Sequence, residues 1–164
     1  EMARPRLEAV EGFRSLTLWR DALDDSCFLL ISHYTGDEAA AAGLKALGDG
    51  HLLSDAVPSL ATPPDVRQVA IEVRDGVAPG ALPVGGYVSV STQTPTHADT
   101  ARQDLEDVLL GLLYLPGCLG TSQGTNAARD GELIGLAFWK DRDSYTASVP
   151  EVAPYAVRLF RRVA

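Results

Sequence analysis

The sequence has few cysteines, few lysines and no long apolar run. Lys45 and Lys140 are its two lysines, and 22 acidic residues outnumber 14 basic ones, so the net charge is −8 at pH 7. This balance disfavours nucleic acid and anionic membrane surfaces as partners, because both require a concentrated basic face. The one basic cluster, Arg158, Arg161 and Arg162, is small.

The longest strongly apolar run, residues 108–115, is far shorter than the roughly 20 residues that cross a bilayer. No charged-then-apolar leader is present. We therefore predict a soluble, cytoplasmic protein without a membrane partner. Cys27 and Cys118 stand apart from any residue at metal-ligand spacing, which predicts free thiols and no metal site. With 164 residues, 46% of them hydrophobic, the chain can bury a core.

The first ten residues have the spacing of a helix. Met2, Ala3, Leu7 and Val10 recur at helical intervals, which predicts a helix from Glu1 to Val10. Because this helix begins at the first residue without a capping residue, we expect a further segment upstream.

An internal repeat organises the chain, with residues 12–39 aligning on residues 117–144 at a constant offset of 105. In each copy a helix-like stretch ends at a glycine, Gly12 or Gly117, and a strand follows. An Asp-containing turn then leads into a second strand, residues 27–34 or 133–139. Asp130-Gly131 is a strong hairpin signal. The repeat therefore predicts two similar structural units.

The remaining pattern predicts three helices and three strands around these hairpins. The helices cover residues 37–47, 97–113 (capped by Thr96 or Asp99) and 143–149. The strands cover residues 67–73, 87–93 and 155–163, and a Pro-rich insertion covers residues 52–64. The second copy thus reads strand, helix, strand, strand, helix, strand, which is the ferredoxin-like order. The first copy lacks its opening strand, which is lost, disordered or supplied by another chain.

Three motifs of the second copy resemble the antibiotic biosynthesis monooxygenase superfamily. They are Leu115-Pro116-Gly117-Cys118-Leu119-Gly120, Asp130-Gly131-Glu132-Leu133-Ile134-Gly135-Leu136-Ala137-Phe138-Trp139 and Asp143-Ser144-Tyr145. The resemblance implies an α+β fold in which two ferredoxin-like repeats form a dimeric α+β barrel. Both repeats would lie in one chain as a pseudo-dimer: residues 1–74, without the N-terminal strand, a linker at 75–83, and residues 84–164.

Trp139 is the first candidate site residue. On an alternating strand it shares a face with Leu133, Gly135 and Ala137. The two small neighbours leave space for a pocket or for a closely packed helix. Trp139 is therefore interpreted as a catalytic pocket wall for a planar substrate, or as a core residue between helix and sheet.

Tyr34 occupies the matching position in the first copy and is the second catalytic candidate. Its hydroxyl requires a partner when buried. His33 points to the opposite face and is a candidate for substrate binding or for a general base. A hydrogen-bonded structural histidine is the alternative interpretation.

Further candidates for substrate binding lie in the second copy. Tyr87 and Ser89 share one face of their strand with Ser91, which predicts a wet cavity or hydrogen bonds to a neighbouring strand. The amides of Asn126 and Gln123 suit a substrate carbonyl, although turn chemistry also explains Asn126. Tyr145 follows Trp139 in the family motif.

The resemblance also identifies departures from the family. Haem-degrading members carry an Asn on the first strand and an iron-ligating His on the second helix, and neither is matched here. No cofactor is therefore predicted. The leading prediction is a cofactor-independent monooxygenase-like protein acting on a planar aromatic or quinol-type molecule. The alternative is a non-catalytic barrel that binds a small ligand or a partner, with a homo-oligomer possible in either case.

Overall fold

A computed structural model describes residues 3–49, 60–148 and 156–164. The helices within them are α1 (Ala3–Glu8), α2 (Asp37–Asp49), α3 (Ala98–Leu112) and α4 (Arg142–Ser148). The strands are β1 (Phe13–Asp21), β2 (Phe28–Tyr34), β3 (Val69–Gly76), β4 (Tyr87–Gln93), β5 (Cys118–Asn126), β6 (Leu133–Trp139) and β7 (Ala156–Arg162). None of these helices has the length and hydropathy needed to cross a membrane.

Most of the predicted elements are confirmed. β4 and β6 have the predicted bounds, whereas β3 begins two residues later than predicted and extends to Gly76. Three predicted ends lie outside the described residues: the start of the first helix at Glu1, the end of the last helix at Val149 and the start of the last strand at Tyr155. Most of the Pro-rich insertion also lies outside them.

The predicted cap of α3 is wrong. His97 occupies the N-cap position, and no side chain caps the helix there. Neither Thr96 nor Asp99 occupies the N-cap position. Thr96 precedes it by one residue, and Asp99 lies inside the first turn of the helix. Packing of the apolar face of α3 on the sheet therefore stabilises this helix instead of a cap.

The seven described strands form one antiparallel sheet in the order β2-β1-β7-β4-β6-β5-β3. The segment from β4 to β7 contributes four neighbouring strands in the order β7-β4-β6-β5. The two end strands approach each other, because Arg74 of β3 lies 2.9 Å from His33 Nε2 of β2. The sheet is therefore curled into an almost closed ring.

Each face of the curled sheet carries its own apolar core, as strand alternation requires. The inner core contains five buried side chains: Trp19, Leu82, Val88, Phe138 and Phe160. The outer core lies between the sheet and α3 and contains Leu105, Leu109, Leu133, Ala137 and Trp139. Consecutive residues Phe138 and Trp139 thus belong to different cores.

Several backbone contacts recur 105 residues apart. Gly12 and Gly117 both have a φ of 86°. Gly12 O accepts a hydrogen bond from Thr35 N at 2.9 Å, and Gly117 O accepts one from Lys140 N at 2.8 Å. The β1–β2 and β5–β6 pairs have the same register and the same irregularity near their first residues. The two hairpins therefore share one backbone conformation.

Candidate functional site

The candidate site is the layer between α3 and the outer face of β4, β6 and β5. Three rows of directly opposed residues form its floor. These rows are Tyr87, Trp139 and Cys118; Ser89, Ala137 and Thr121; and Ser91, Gly135 and Gln123. Directly opposed residues of antiparallel strands point to the same face, so all nine face α3. The structure therefore brings Trp139, Tyr87 and Ser89 together on one face of the sheet.

Trp139 is fully buried at the centre of this layer. Its indole Nε1 donates a hydrogen bond to Ser89 Oγ at 3.0 Å. Its ring meets Tyr145 of α4 edge to face, with centroids 5.8 Å apart. Leu105 and Leu109 of α3 belong to the same packed cluster. Trp139 thus contacts two predicted site residues, and side chains of the protein surround it.

The space beside Trp139 is taken up by helix α3. A Cβ atom added to Gly135 would lie 2.6 Å from Ser91 Oγ and 3.1 Å from a Leu105 methyl carbon. Gly135 therefore allows close approach of the helix, which is one of the two roles that its small size predicted. A ligand reaches Trp139 only if α3 separates from the sheet.

A strip of small polar side chains is buried within the layer. Ser91 Oγ donates to Gly135 O at 3.3 Å and Ser89 Oγ donates to Ala137 O at 3.5 Å, so these serines bond to the neighbouring strand. Gln123 Nε2 donates to Arg102 O at 3.1 Å. Gln123 Oε1 is buried, and no described residue donates to it. A buried oxygen without a donor is rare, and a bound ligand is one explanation.

A cavity of about 460 Å³ opens at the end of this layer. Arg102 of α3, Leu133 of β6 and the turn between β5 and β6 line it. Leu133 also belongs to the packed cluster around Trp139, and Arg102 accepts the Gln123 hydrogen bond described above. The cavity therefore borders the buried polar strip.

Two titratable side chains of the layer, Tyr145 and Cys118, are neutral at neutral pH. Burial raises the pKa of Tyr145. Burial also raises the pKa of the Cys118 thiol, and this effect exceeds the opposite effect of its contact with Gly120 O. Because both groups keep their protons, they can donate hydrogen bonds to a ligand but cannot abstract a proton from it.

Tyr34 lies far from Trp139 in the sheet, since three strands separate β2 from β6. Its ring meets Phe13 edge to face at 5.8 Å, and its hydroxyl packs on Gly43 of α2. The hydroxyl is buried, and no partner for it occurs among the described residues. The structure thus does not place the two aromatic candidates in one site.

His33 faces the interior of the curled sheet, away from the Trp139 layer. An arginine can only donate, so Arg74 Nη2 donates to His33 Nε2 at 2.9 Å, and this nitrogen carries no proton. Burial and the nearby charges of Arg74 and Arg14 lower the pKa of His33. His33 is therefore a neutral residue that connects the two end strands.

Asn126 lies at the end of β5, and both the nitrogen and the oxygen of its side-chain amide are hydrogen-bonded. It donates to Glu132 Oε2 at 2.5 Å, and its carbonyl oxygen accepts from Ala128 N at 3.0 Å. Burial raises the pKa of Glu132, but hydrogen bonds from Asn126 and Arg67 and the charge of Arg129 outweigh it, so the net pKa is lowered. Turn chemistry thus accounts for Asn126, although Asn126 also lines the 460 Å³ cavity.

Thr121 is the one residue of the polar strip that sequence reasoning missed. It is 3% exposed and lies opposite Ala137. The irregularity at the start of β5 shifts the alternation by one residue between Cys118 and Gly120. A pattern that is read from the first residue of the strand therefore assigns Thr121 to the wrong face.

Comparison with known proteins identifies the fold. No protein-family model and no curated protein matches the chain. Among solved structures, a "Putative monooxygenase" from Fusobacterium nucleatum has a TM-score of 0.70 at 12% identity and covers 99% of this chain and 84% of its own. An anthrone oxidase-like protein has a TM-score of 0.63 at 16% identity, covering 99% and 82%.

A haem-degrading enzyme from Listeria monocytogenes is also similar, with a TM-score of 0.55 at 11% identity, covering 98% and 91%. Identities this low show the fold and leave the chemistry open. The chain therefore has an α+β fold with a curled antiparallel sheet, consistent with the dimeric α+β barrel type, which confirms this part of the predicted fold class.

Proposed function

We propose that this protein is a cofactor-independent oxygenase that holds a planar aromatic or quinol-type substrate between the sheet and α3. The observation that carries the proposal is the buried polar strip beneath α3, where Gln123 Oε1 has no donor among the described residues. Tyr34 Oη and Ser122 Oγ are likewise buried without a partner among the described residues, and of these three atoms only Gln123 Oε1 lies in this layer. Two structural neighbours, a "Putative monooxygenase" and an anthrone oxidase-like protein, favour the same chemistry.

In such a reaction the substrate supplies the electrons. A ring CH₂ group loses a proton to water, and the resulting carbanion is oxidised by O₂ to a peroxide with a new C–O bond. The protonated peroxide then loses water, which takes the second hydrogen of the CH₂ group and breaks the O–O bond, and leaves C=O. One oxygen atom of O₂ enters the product and the other leaves as water. The protein contributes orientation, exclusion of water and stabilisation of the substrate anion.

Each residue of the layer has a role in this proposal. Trp139 forms the wall against which the substrate ring lies, and Ser89 fixes the orientation of the indole. Tyr145 and Tyr87 donate hydrogen bonds to the substrate anion. Since Tyr145 keeps its proton at neutral pH, the substrate must be acidic enough to ionise without a strong base.

We also propose that the chain contains two ferredoxin-like units, residues 1–74 and 84–164, joined by residues 75–83. The contacts that recur 105 residues apart support this division. Tyr34 then corresponds to Trp139 in a first unit that lacks a counterpart of β4. In this proposal the complete second unit is catalytic, and His33 and Asn126 support the structure around it.

The two buried tryptophans provide a matched test. Trp139→Phe removes the Ser89 contact and part of the proposed pocket wall, so we expect kcat/KM with an anthrone to fall at least about tenfold. Trp19→Phe is the control, because Trp19 is equally buried on the other face and donates to Thr17 Oγ1 at 2.8 Å. We expect its turnover to stay within about twofold. Equal rates in the two variants would contradict the assignment of Trp139.

Binding without turnover is the second candidate function. The complete burial of Trp139 and the absence of a base among the described residues of the layer favour it. This candidate predicts that the same aromatic molecules bind and quench tryptophan fluorescence while O₂ consumption stays at the background rate. Clear O₂ uptake would exclude it.

A further inference from the structure

A second cavity, of about 210 Å³, lies on the outer face of the sheet beside Tyr87. Its floor is a row across β1, β7 and β4, in which Arg20 lies opposite Arg161 and Arg161 lies opposite Tyr87. Arg142, the first residue of α4, overhangs the row. The apolar side chains of Ala22 and Val163 complete the wall.

The row places two arginines at directly opposed positions, where Cβ atoms are about 5 Å apart. The Arg20 guanidinium itself lies over the Phe28 ring, 5.4 Å from its centroid, and so extends toward β2 and away from Arg161. Arginine keeps its charge at any physiological pH. A third arginine, Arg142, also lines the cavity, so the potential of the cavity favours negative charge.

The two aspartates that line the cavity supply little of this negative charge. Asp21 Oδ2 accepts two hydrogen bonds from Arg158, at 2.7 and 3.0 Å, and Oδ1 accepts two backbone N–H groups of the adjacent turn. Asp25 lies 3.8 Å from Arg20 and is 92% exposed, so water screens the pair. Within the part of the chain that the structure describes, no carboxylate lies within 4 Å of Arg142 or Arg161.

We propose that this cavity binds a small organic carboxylate. The guanidinium groups of Arg161 and Arg142 would bind the carboxylate oxygens, a pairing that their planar donor geometry favours. The Tyr87 ring, Ala22 and Val163 would contact the organic portion. A cavity of ~150 Å³ already holds benzene, so the volume suits a single-ring acid. The net charge of −8 opposes a polyanionic partner.

The proposed site goes beyond the oxygenase activity and does not depend on it. The test uses sodium benzoate as the probe and backbone amide chemical shifts of the ¹⁵N-labelled protein as the readout. We expect saturable shifts centred on residues 20, 87, 142 and 161. Arg161→Gln and Arg142→Gln should each weaken benzoate binding about tenfold or more. Arg6→Gln, which removes an exposed charge from α1, should change it less than about twofold.

Two further ligands test the chemistry of the probe. Benzamide has the same ring without the charge, and we expect it to bind at least about tenfold more weakly than benzoate. Inorganic phosphate has the charge without the ring and should also bind more weakly.

Several results would overturn the proposal. They are no saturable shift at about 50 mM benzoate, equal binding of benzamide, phosphate binding at least as tightly as benzoate, and equal effects of Arg6→Gln and Arg161→Gln. Because Arg161 lies in the sheet, Arg161→Gln can also weaken binding by destabilising the fold, which a lower Tm would show. In that case benzoate binding by Arg142→Gln decides the outcome, since Arg142 lies outside the sheet.

Discussion

Trp19 and Trp139 occupy equivalent environments on opposite faces of one sheet, and alternation along the strands determines which face each one occupies. The sequence predicted the face of Trp139 and of Tyr87, because a period of two depends only on neighbouring residues. It did not predict the partners of His33 and Glu132. Arg74 is 41 residues from His33 and Arg67 is 65 residues from Glu132, and only the folded sheet brings them together.

His33 gives the protein a pH dependence. Its pKa is lowered in the folded chain, so protonation favours the unfolded chain. The free energy of unfolding should be highest above the ordinary histidine pKa of 6.5 and should fall as the pH drops below it. We expect His33→Gln to reduce the difference in urea stability between pH 7.5 and pH 5.5.

His97→Gln is the control for this prediction, because His97 is exposed at the start of α3 and should leave the pH dependence unchanged. NMR titration of the His33 ring should also show a higher pKa in Arg74→Gln. An unchanged pKa in that variant would mean that the Arg74 contact does not perturb His33.

Glu132 connects β6 to the segment before β3. It is 6% exposed, and Arg67 and Arg129 both reach its carboxylate. Glu132→Gln should lower the free energy of unfolding by about 1–3 kcal/mol, because Arg67 and Arg129 each lose one of their two charged partners and keep only Asp65. Asp25→Asn, at an exposed pair, should cost less than about 0.5 kcal/mol. Urea unfolding at pH 7 measures both.

The acid limb of the stability curve provides a second readout for Glu132. The pKa of Glu132 in the folded chain is lower than the ordinary value of 4.5, so the stabilisation by its ionised carboxylate is present above pH 4.5. This stabilisation is lost as the pH falls through the pKa of the folded chain. Glu132→Gln should therefore lose less stability between pH 5 and pH 3 than the wild type. An identical slope in the two proteins would contradict this role.

At the scale of elements, the hairpins were predicted well, whereas the residue that caps α3 was not. Asp-Gly and the apolar runs beside it fix the β5–β6 turn locally, and Gly131 has the expected positive φ of 72°. The sequence does not mark the first residue of α3, because the N-cap position is His97 and its side chain does not cap the helix. Contact with the sheet determines where this helix begins.

The glycines that precede the hairpins should be intolerant of substitution. Gly12 and Gly117 have positive φ, and an added Cβ would lie 2.8 Å from Ala39 Cβ or 2.5 Å from Ser144 Cβ. Gly12→Ala and Gly117→Ala should each lower the free energy of unfolding by about 1–3 kcal/mol. Similar costs at both positions are expected if the two units are equivalent.

Gly48→Ala and Gly111→Ala are matched controls. Both glycines lie in helices with open space around the Cβ position, so alanine should raise the free energy of unfolding by up to about 1 kcal/mol. Chemical denaturation of the four variants separates the two groups. Tolerance of alanine at Gly12 but not at Gly117 would contradict the equivalence of the two units.

At the scale of the whole molecule, the fold was predictable because its evidence is distributed along the chain. The two hairpins and the order of elements indicate the α+β class, and the offset of 105 supports the proposed pair of ferredoxin-like units. The candidate layer beneath α3 was predicted only in part, because its shape depends on how closely α3 packs on Gly135. The arginine row was not predicted, since it requires the register between β1 and β7, which lie at opposite ends of the sequence.

The most direct test of the central proposal is O₂ consumption by the purified wild-type protein with an anthrone substrate under ¹⁸O₂. We predict uptake above the buffer and heat-denatured controls, one O₂ consumed per quinone formed, and one ¹⁸O atom in each product molecule. O₂ uptake no faster than in buffer with anthrones and quinols, or product without ¹⁸O, would contradict the oxygenase assignment.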